Sequence, residues 1–238
     1  MPPHIRINLR RVQEKIFVIE KEWKGMKNSE VFDNIYLNGI WGKNIDGSST
    51  SGEGSHSSEI INPYITEISK FLSQVESNTI VDLGCGDFNV GKNFVPLTKK
   101  YIACDVSNVI LKRNKIKYNS FSNLEFKFLD LSEDPLPKGD VCFVRQVLQH
   151  LSNENINKFV KKINLEKPYK YMVVTEYLTQ NDNFIANLDK SVGANTRHMV
   201  GSGVVLHQEP FNLEALSIQD LLEVTSEGGK IKTTIYKF

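Results

Sequence analysis

The segment Ile80-Val81-Asp82-Leu83-Gly84-Cys85-Gly86-Asp87-Phe88-Asn89 constrains this chain more than any other. Residues 79–83 are an apolar run with the length and composition of a buried strand. The run leads into a turn with two glycines one residue apart and an acid on each side. Glycine lets the backbone turn sharply and approach a ligand without a Cβ in the way. A dinucleotide loop needs a third glycine for helix packing and an open helix N-terminus for the pyrophosphate. Here that third position is Asn89, and Asp82 and Asp87 set negative charge where a pyrophosphate would lie. The loop suits a cation better. Taken alone, it is equally a glycine-rich turn in some other α/β protein.

The segments that follow narrow the choice. Residues 100–104 read as a second strand ending in Asp105, about 20 residues after the loop, where a nucleoside-binding sheet places a carboxylate for both ribose hydroxyls. Residues 124–129 read as a third strand, with Phe126 and Phe128 on one face, ending in Asp130-Leu131. Residues 140–144 form a fourth, delivering Arg145-Gln146-Val147-Leu148-Gln149-His150-Leu151-Ser152. Any one of these aspartates could be a solvated loop acid. Three in order at successive strand ends point to a ligand at the C-terminal edge of a parallel sheet.

The rest of the chain supplies the frame. Residues 10–23 and 31–40 predict two helical pieces, the second rich in aromatics. Residues 42–58 turn to Gly, Ser and Thr, as in a linker or in a flap whose hydroxyls and N–H groups meet a ligand. Ile60 to Val75 trace one helical face, with Asn62 as cap and Pro63 in the first turn. Ser152 caps a helix striped by Ile156, Phe159, Val160 and Ile163. Residues 171–177 predict a fifth strand carrying Glu176. Residues 178–213 are polar and irregular, as in a lid. Leu222 and Val224, the turn at Glu227-Gly228-Gly229, then Ile231, Thr233 and Ile235 predict a β-hairpin.

At 238 residues this is one domain with additions. A net charge of +1 gives no field for nucleic acid or acidic membranes. The basic run at residues 112–117 falls on a helix and reads as a solvated face. Three cysteines cannot all pair, and Cys85, Cys104 and Cys142 lie in or beside strands, as expected of free thiols in a reducing cytoplasm. There is no apolar stretch of membrane-spanning length and no signal-peptide core.

On these motifs the chain resembles the class I S-adenosylmethionine-dependent methyltransferases of the small-molecule type from about Trp41 onward. Asp82-Leu83-Gly84-Cys85-Gly86 is similar to their first motif. Ser51-Gly52-Glu53-Gly54-Ser55 ahead of it, with Pro210-Phe211-Asn212-Leu213 behind, resembles a bacterial subgroup often associated with surface-polysaccharide genes. The resemblance implies an α/β, Rossmann-like sheet of about seven strands, with a C-terminal antiparallel hairpin and an N-terminal helical extension. It divides the chain into an extension and flap at 1–58 and a methyltransferase domain at 59–238 with a lid at 178–213. S-adenosylmethionine, with its ammonium and sulfonium, is the implied cofactor. Asp82, Gly84, Gly86, Asp87, Asp105, Asp130, Leu131, Arg145 and Gln146 are its implied contacts, Asp130 accepting from the adenine amino group. No metal is implied: the acid that a magnesium-dependent methyltransferase keeps after the fourth strand is replaced by Arg145-Gln146.

Methyl transfer is an in-line displacement that quenches charge on sulfur, so proximity and alignment carry most of it. A base is needed only for a hydroxyl or a protonated amine. His150 is the candidate, since a near-neutral imidazole suits the role and the matching histidine is the base in phosphoethanolamine-type relatives. The plainer reading is a helix-capping histidine. Glu176 is expected to orient the nucleophile, and Arg197 and His198 to hold substrate, an arginine there suiting a phosphate or carboxylate. His207 lies in the same lid. The expected reaction is methylation of a small polar acceptor, a hydroxyl of a sugar, sugar phosphate or surface-glycan precursor. N- or carboxyl-methylation and a non-catalytic cofactor-binding module are the alternatives. Nucleic acid and membrane are not expected partners, and oligomeric state stays open.

Overall fold

The computed structural model describes residues 23–180 and 182–238. The helix expected at 10–23 lies outside the described residues, apart from Trp23.

Seven strands form one sheet: β1 (Thr79–Leu83), β2 (Lys100–Asp105), β3 (Leu124–Phe128), β4 (Val141–Arg145), β5 (Tyr171–Thr179), β6 (Ser217–Ser226) and β7 (Gly229–Lys237). Their order is β3-β2-β1-β4-β5-β7-β6. The first five pair in parallel, and β7 enters antiparallel between β5 and β6. The strand order reverses between β1 and β4, which opens a crevice beyond their C-terminal ends. The glycine loop leaves β1 at that point.

The central strands are apolar on both faces because both are covered. Ile80, Tyr101, Val141 and Phe143 point to a core completed by Tyr64, Ile68, Phe71 and Leu72 of helix α2 (Ser58–Gln74). Val81, Leu83, Cys142 and Val144 point to the other, filled by Val31, Phe32 and Ile35 of α1 (Asn28–Asn38) and by Ile156, Phe159, Val160 and Ile163 of α4 (Asn153–Glu166). Between β2 and β3 runs α3 (Asn108–Lys117), capped by Ser107.

Several local details depart from expectation. Helix α2 begins at Ser58, so Pro63 sits in its second turn and Asn62 is helical and not a cap. Proline there removes one intrahelical bond, and the exposed position lets water meet the freed carbonyl. The basic run on α3 is mostly exposed, but Arg113 is half-buried and donates from Nη1 to Ser49 O. Residues 180–216 carry core side chains: Ala194, Val204, Leu206, Phe211 and Leu213 pack beneath the sheet. Asn187 ties this segment together, donating to Val205 O and Glu209 O and accepting from the Val205 N–H at 2.8 Å.

Candidate active site

A cavity of about 650 Å³ opens at the strand reversal, within the range of a small-molecule site. Its floor is the glycine loop. Gly84 and Gly86 take φ values of +80° and +56°, which side-chain-bearing residues rarely adopt. A Cβ at Gly84 would enter Val147 and one at Gly86 would enter Ser51, so both must be bare. From α3, Asn114 fixes the loop by donating to Gly86 O at 2.7 Å.

The three strand-end acids meet in this cavity. Asp82 is buried and accepts from the Tyr101 hydroxyl at 3.0 Å; burial raises its pKa to about 7 against that bond. Asp105 accepts from Gly86 N–H and Ser107 N–H, both at 2.9 Å, and burial lifts it to about 6 against these backbone bonds. Asp130 closes an Asx turn on Ser132 and accepts from Asn28 Nδ2 at 2.9 Å, and Leu131 lines the cavity beside it.

Asp87 faces the Gly/Ser segment. Its Oδ2 accepts from the Ser51 N–H at 2.9 Å and meets His56 Nε2 at 2.5 Å, while its own N–H donates to Ser51 Oγ. Residues 51–55 thus form a roof over the cavity. Asn89 and Arg145 fasten the same roof: Asn89 Nδ2 donates to Ser55 O, and the Arg145 guanidinium donates to Gly54 O and Ser55 Oγ. Arg145 also stacks 4.9 Å above the Tyr64 ring and reaches Gln146 Oε1. Gln146 has a positive φ of 54°, a costly conformation for a residue with a side chain.

His150 lines the cavity at the end of the turn that follows β4. Its ring lies 4.8 Å from that of Trp41, whose indole N–H donates to Ala194 O. Burial, then the nearby Lys190 ammonium, lower its pKa to about 3. The imidazole is therefore neutral, with backbone groups of Asn195, Gly193 and Ala194 opposing the shift and Gln149 Nε2 lying 3.3 Å from its Nε2.

Two expected site residues point elsewhere. Glu176 does not line the cavity: its carboxylate accepts from Val147, Leu148 and Gln149 N–H groups at 2.9 to 3.2 Å. Burial raises its pKa to about 8 against those donors. Arg197 is wholly buried, donating to Leu188 O and, at 2.8 Å, to Leu151 O. His198 does line the cavity, edge-on to Tyr177 with ring centres 5.2 Å apart. His207 lies away from it, bonded to the Tyr236 hydroxyl. Sequence reasoning missed the aromatic wall of Phe32, Tyr36, Trp41, Tyr64 and Tyr177. The aromatic richness of residues 31–40 was its only signal.

A cavity lined by the buried carboxyls of Asp82, Asp87 and Asp105 and floored by bare glycines suits a ligand that carries positive charge, as S-adenosylmethionine does. Residues 81–165 match the family model described as a methyltransferase domain. No curated sequence matches the chain. The N-methyltransferase NodS from Bradyrhizobium japonicum, in complex with S-adenosyl-L-homocysteine, is similar at TM-score 0.61 and 13% identity, over 86% of this chain and 99% of that one. The methyltransferase domain of bacterial CtHen1 gives 0.53 and 15%, over 75% and 100%. The N-terminal domain of EvdMO1, in the presence of S-adenosyl-L-homocysteine and D-fucose, gives 0.51 and 11%, over 94% and 96%. At such identities these structures show the fold. The chain thus has the fold of these methyltransferases, and the stretch 81–165 within it carries the methyltransferase-domain match. The methyltransferase-domain match implies S-adenosylmethionine as the cofactor.

Proposed function

We propose that the protein methylates a hydroxyl of a small polar acceptor, a sugar or surface-glycan precursor, in the cytoplasm. The observation that carries this reading is His150: a neutral imidazole that lines the cavity at the end of the turn after β4. The D-fucose named with EvdMO1 supports a sugar acceptor, and the free cysteines suit a reducing compartment. Among the described residues no helix is long and apolar enough to cross a membrane.

In this reading Asp105 takes the ribose hydroxyls, Asp130 and Leu131 the adenine edge, and Asp82 the ammonium. Gly84 and Gly86 allow the close approach, Asp87 fastens the roof, and Arg145 with Gln146 faces the methionyl carboxylate. When bound, the cofactor supplies an electrophilic methyl group on a sulfonium. His150 accepts a hydrogen bond from the acceptor hydroxyl and takes its proton as the oxygen loses electron density to the new bond. Glu176 acts as a positioning residue, fixing the turn that carries His150. Tyr64, Phe32 and Trp41 exclude water. Incubation of the purified protein with labelled cofactor and a panel of sugars tests the reading through methylated product; transfer to none of the sugars would count against it.

A second reading, methylation of an amine, draws on NodS as an N-methyltransferase and on the carboxylates of Glu53 and Glu227 that line the cavity. Product NMR separates an O-methyl from an N-methyl group.

A further inference from the structure

The cavity has two halves built from different strands. The ends of β1, β2 and β3 carry Asp82, Asp105 and Asp130. On the other side of the strand reversal a continuous ladder runs from His150 outward. Gln149 Nε2 lies 3.3 Å from His150 Nε2, and Gln149 Oε1 accepts from the Tyr177 N–H at 3.3 Å. Tyr177 meets His198 edge-on and donates from its hydroxyl to Glu227 O, in the turn between β6 and β7. His198 packs against that turn as well: a Cβ on Gly228 would come within 3.0 Å of its ring. The inner rungs, Gln149 and His150, are buried, and the outer ones, His198 and Glu227, are exposed.

The charge in this cavity is one-sided. Glu53, Asp82, Asp87, Asp105, Asp130 and Glu227 line it, against one guanidinium, Arg145, among the described residues; Glu227 stands at the outer end of the ladder and Glu53 in the roof, while the aspartates belong to the other half. Arg145 is already bound to the roof. Neither nearby cation faces the ladder as a phosphate clamp. Arg197 is turned into Leu188 O and Leu151 O, and Lys190 donates to His150 O and Ser191 O. An anion brought to the ladder would lose its hydration and gain Glu227 and Glu53 as like-charged neighbours with no free cation to pair with among the described lining residues. An uncharged polyol loses little, because hydroxyls pair with His, Gln and backbone groups while C–H faces lie on aromatic rings.

We propose that the ladder His150–Gln149–Tyr177–His198–Glu227 is the acceptor subsite, and that it takes an uncharged or amino sugar and refuses a phosphorylated one. This rests on the reading of the protein as a sugar methyltransferase and narrows it. His198 and the β6–β7 turn set specificity at the outer end, away from the cofactor half.

Saturation-transfer NMR on the full chain with saturating S-adenosylhomocysteine tests it, using D-fucose, D-glucosamine and D-glucose 6-phosphate as probes. The expected result is transfer to at least one of the first two and none to the phosphate. His198→Ala should weaken the bound sugar roughly tenfold, the loss of one good contact, with S-adenosylhomocysteine affinity unchanged as the check on folding. Binding of glucose 6-phosphate as strong as that of the neutral sugars would overturn the proposal. So would binding of neither D-fucose nor D-glucosamine, or an undiminished affinity in His198→Ala. A protein that fails to bind S-adenosylhomocysteine would instead overturn the cofactor assignment.

Discussion

Glu176 holds the Leu148 N–H at 2.9 Å, and through it the turn that ends in His150. A carboxylate on β5 thereby fixes a side chain delivered by β4. Burial places its pKa near 8, above the ordinary 4.5. Between these values the folded protein keeps a proton that the unfolded chain has released. Stability from this group is complete below about pH 4.5 and is lost as pH rises through 8. Glu176→Gln should remove that slope in thermal melts across the window. At the acid end it should still cost about 1–3 kcal/mol, since an amide cannot satisfy all three N–H groups. A variant with the parent's slope would mean that another carboxyl sets the profile.

Asp82 gives a prediction of opposite sense for binding. Buried with a pKa of about 7, it is only partly ionised at neutral pH. A cationic ligand group beside it favours the ionised form, so cofactor and proton compete. S-adenosylmethionine affinity should rise with pH across 7 and level off above it. In Asp82→Asn the affinity should be weaker and lose this dependence. Calorimetry in two buffers of different ionisation enthalpy would also record the proton released on binding.

His150 stays neutral, its pKa held near 3 by burial and Lys190. The near-neutral value expected of a histidine base does not occur here. The rate should therefore show no acid limb from this residue between pH 6 and 8. His150→Asn should lower turnover by roughly 10²-fold, the range for loss of a general base, while S-adenosylhomocysteine affinity stays within a few-fold. Full turnover in the variant would leave His150 a packing partner of Trp41.

His56 and Asp87 close the roof at 2.5 Å, partly exposed on the histidine side. His56→Ala should loosen residues 51–55 and speed release of S-adenosylhomocysteine. The expected loss is about 1 kcal/mol, discounted for the exposed histidine. Stopped-flow displacement measures it directly, and unchanged release would show that Arg145 and Asn89 hold the roof unaided.

The strand positions and the strand-end acids were legible because both are local signals. A five-residue apolar run and the acid that ends it fix where Asp82, Asp105 and Asp130 must lie. What sequence hid was direction and distance. Glu176 ends on a strand edge, as a cavity-facing carboxylate would, but the turn after β4 reaches it first. Arg197 resembles an anion clamp until its donors are seen on Leu188 and Leu151 carbonyls. Asp87 and His56 are 31 residues apart, and nothing in either neighbourhood signals their pairing. Trp41 meets His150 only because α1 folds back over the sheet.

The way residues 180–216 are packed bears on how such a protein can change its acceptor over evolution. Asn187, Arg197 and Ser202 are buried, and Val204, Leu206 and Phe211 belong to the main core. Transplanting this segment into a relative would carry away part of the host's interior, and most exchanges would fail in folding before any new substrate was seen. The exposed positions from 198 to 200, and the facing turn at 227–228, carry no such debt. Divergence in acceptor choice should therefore accumulate at those few positions by point substitution, with the length and buried pattern of the segment left intact.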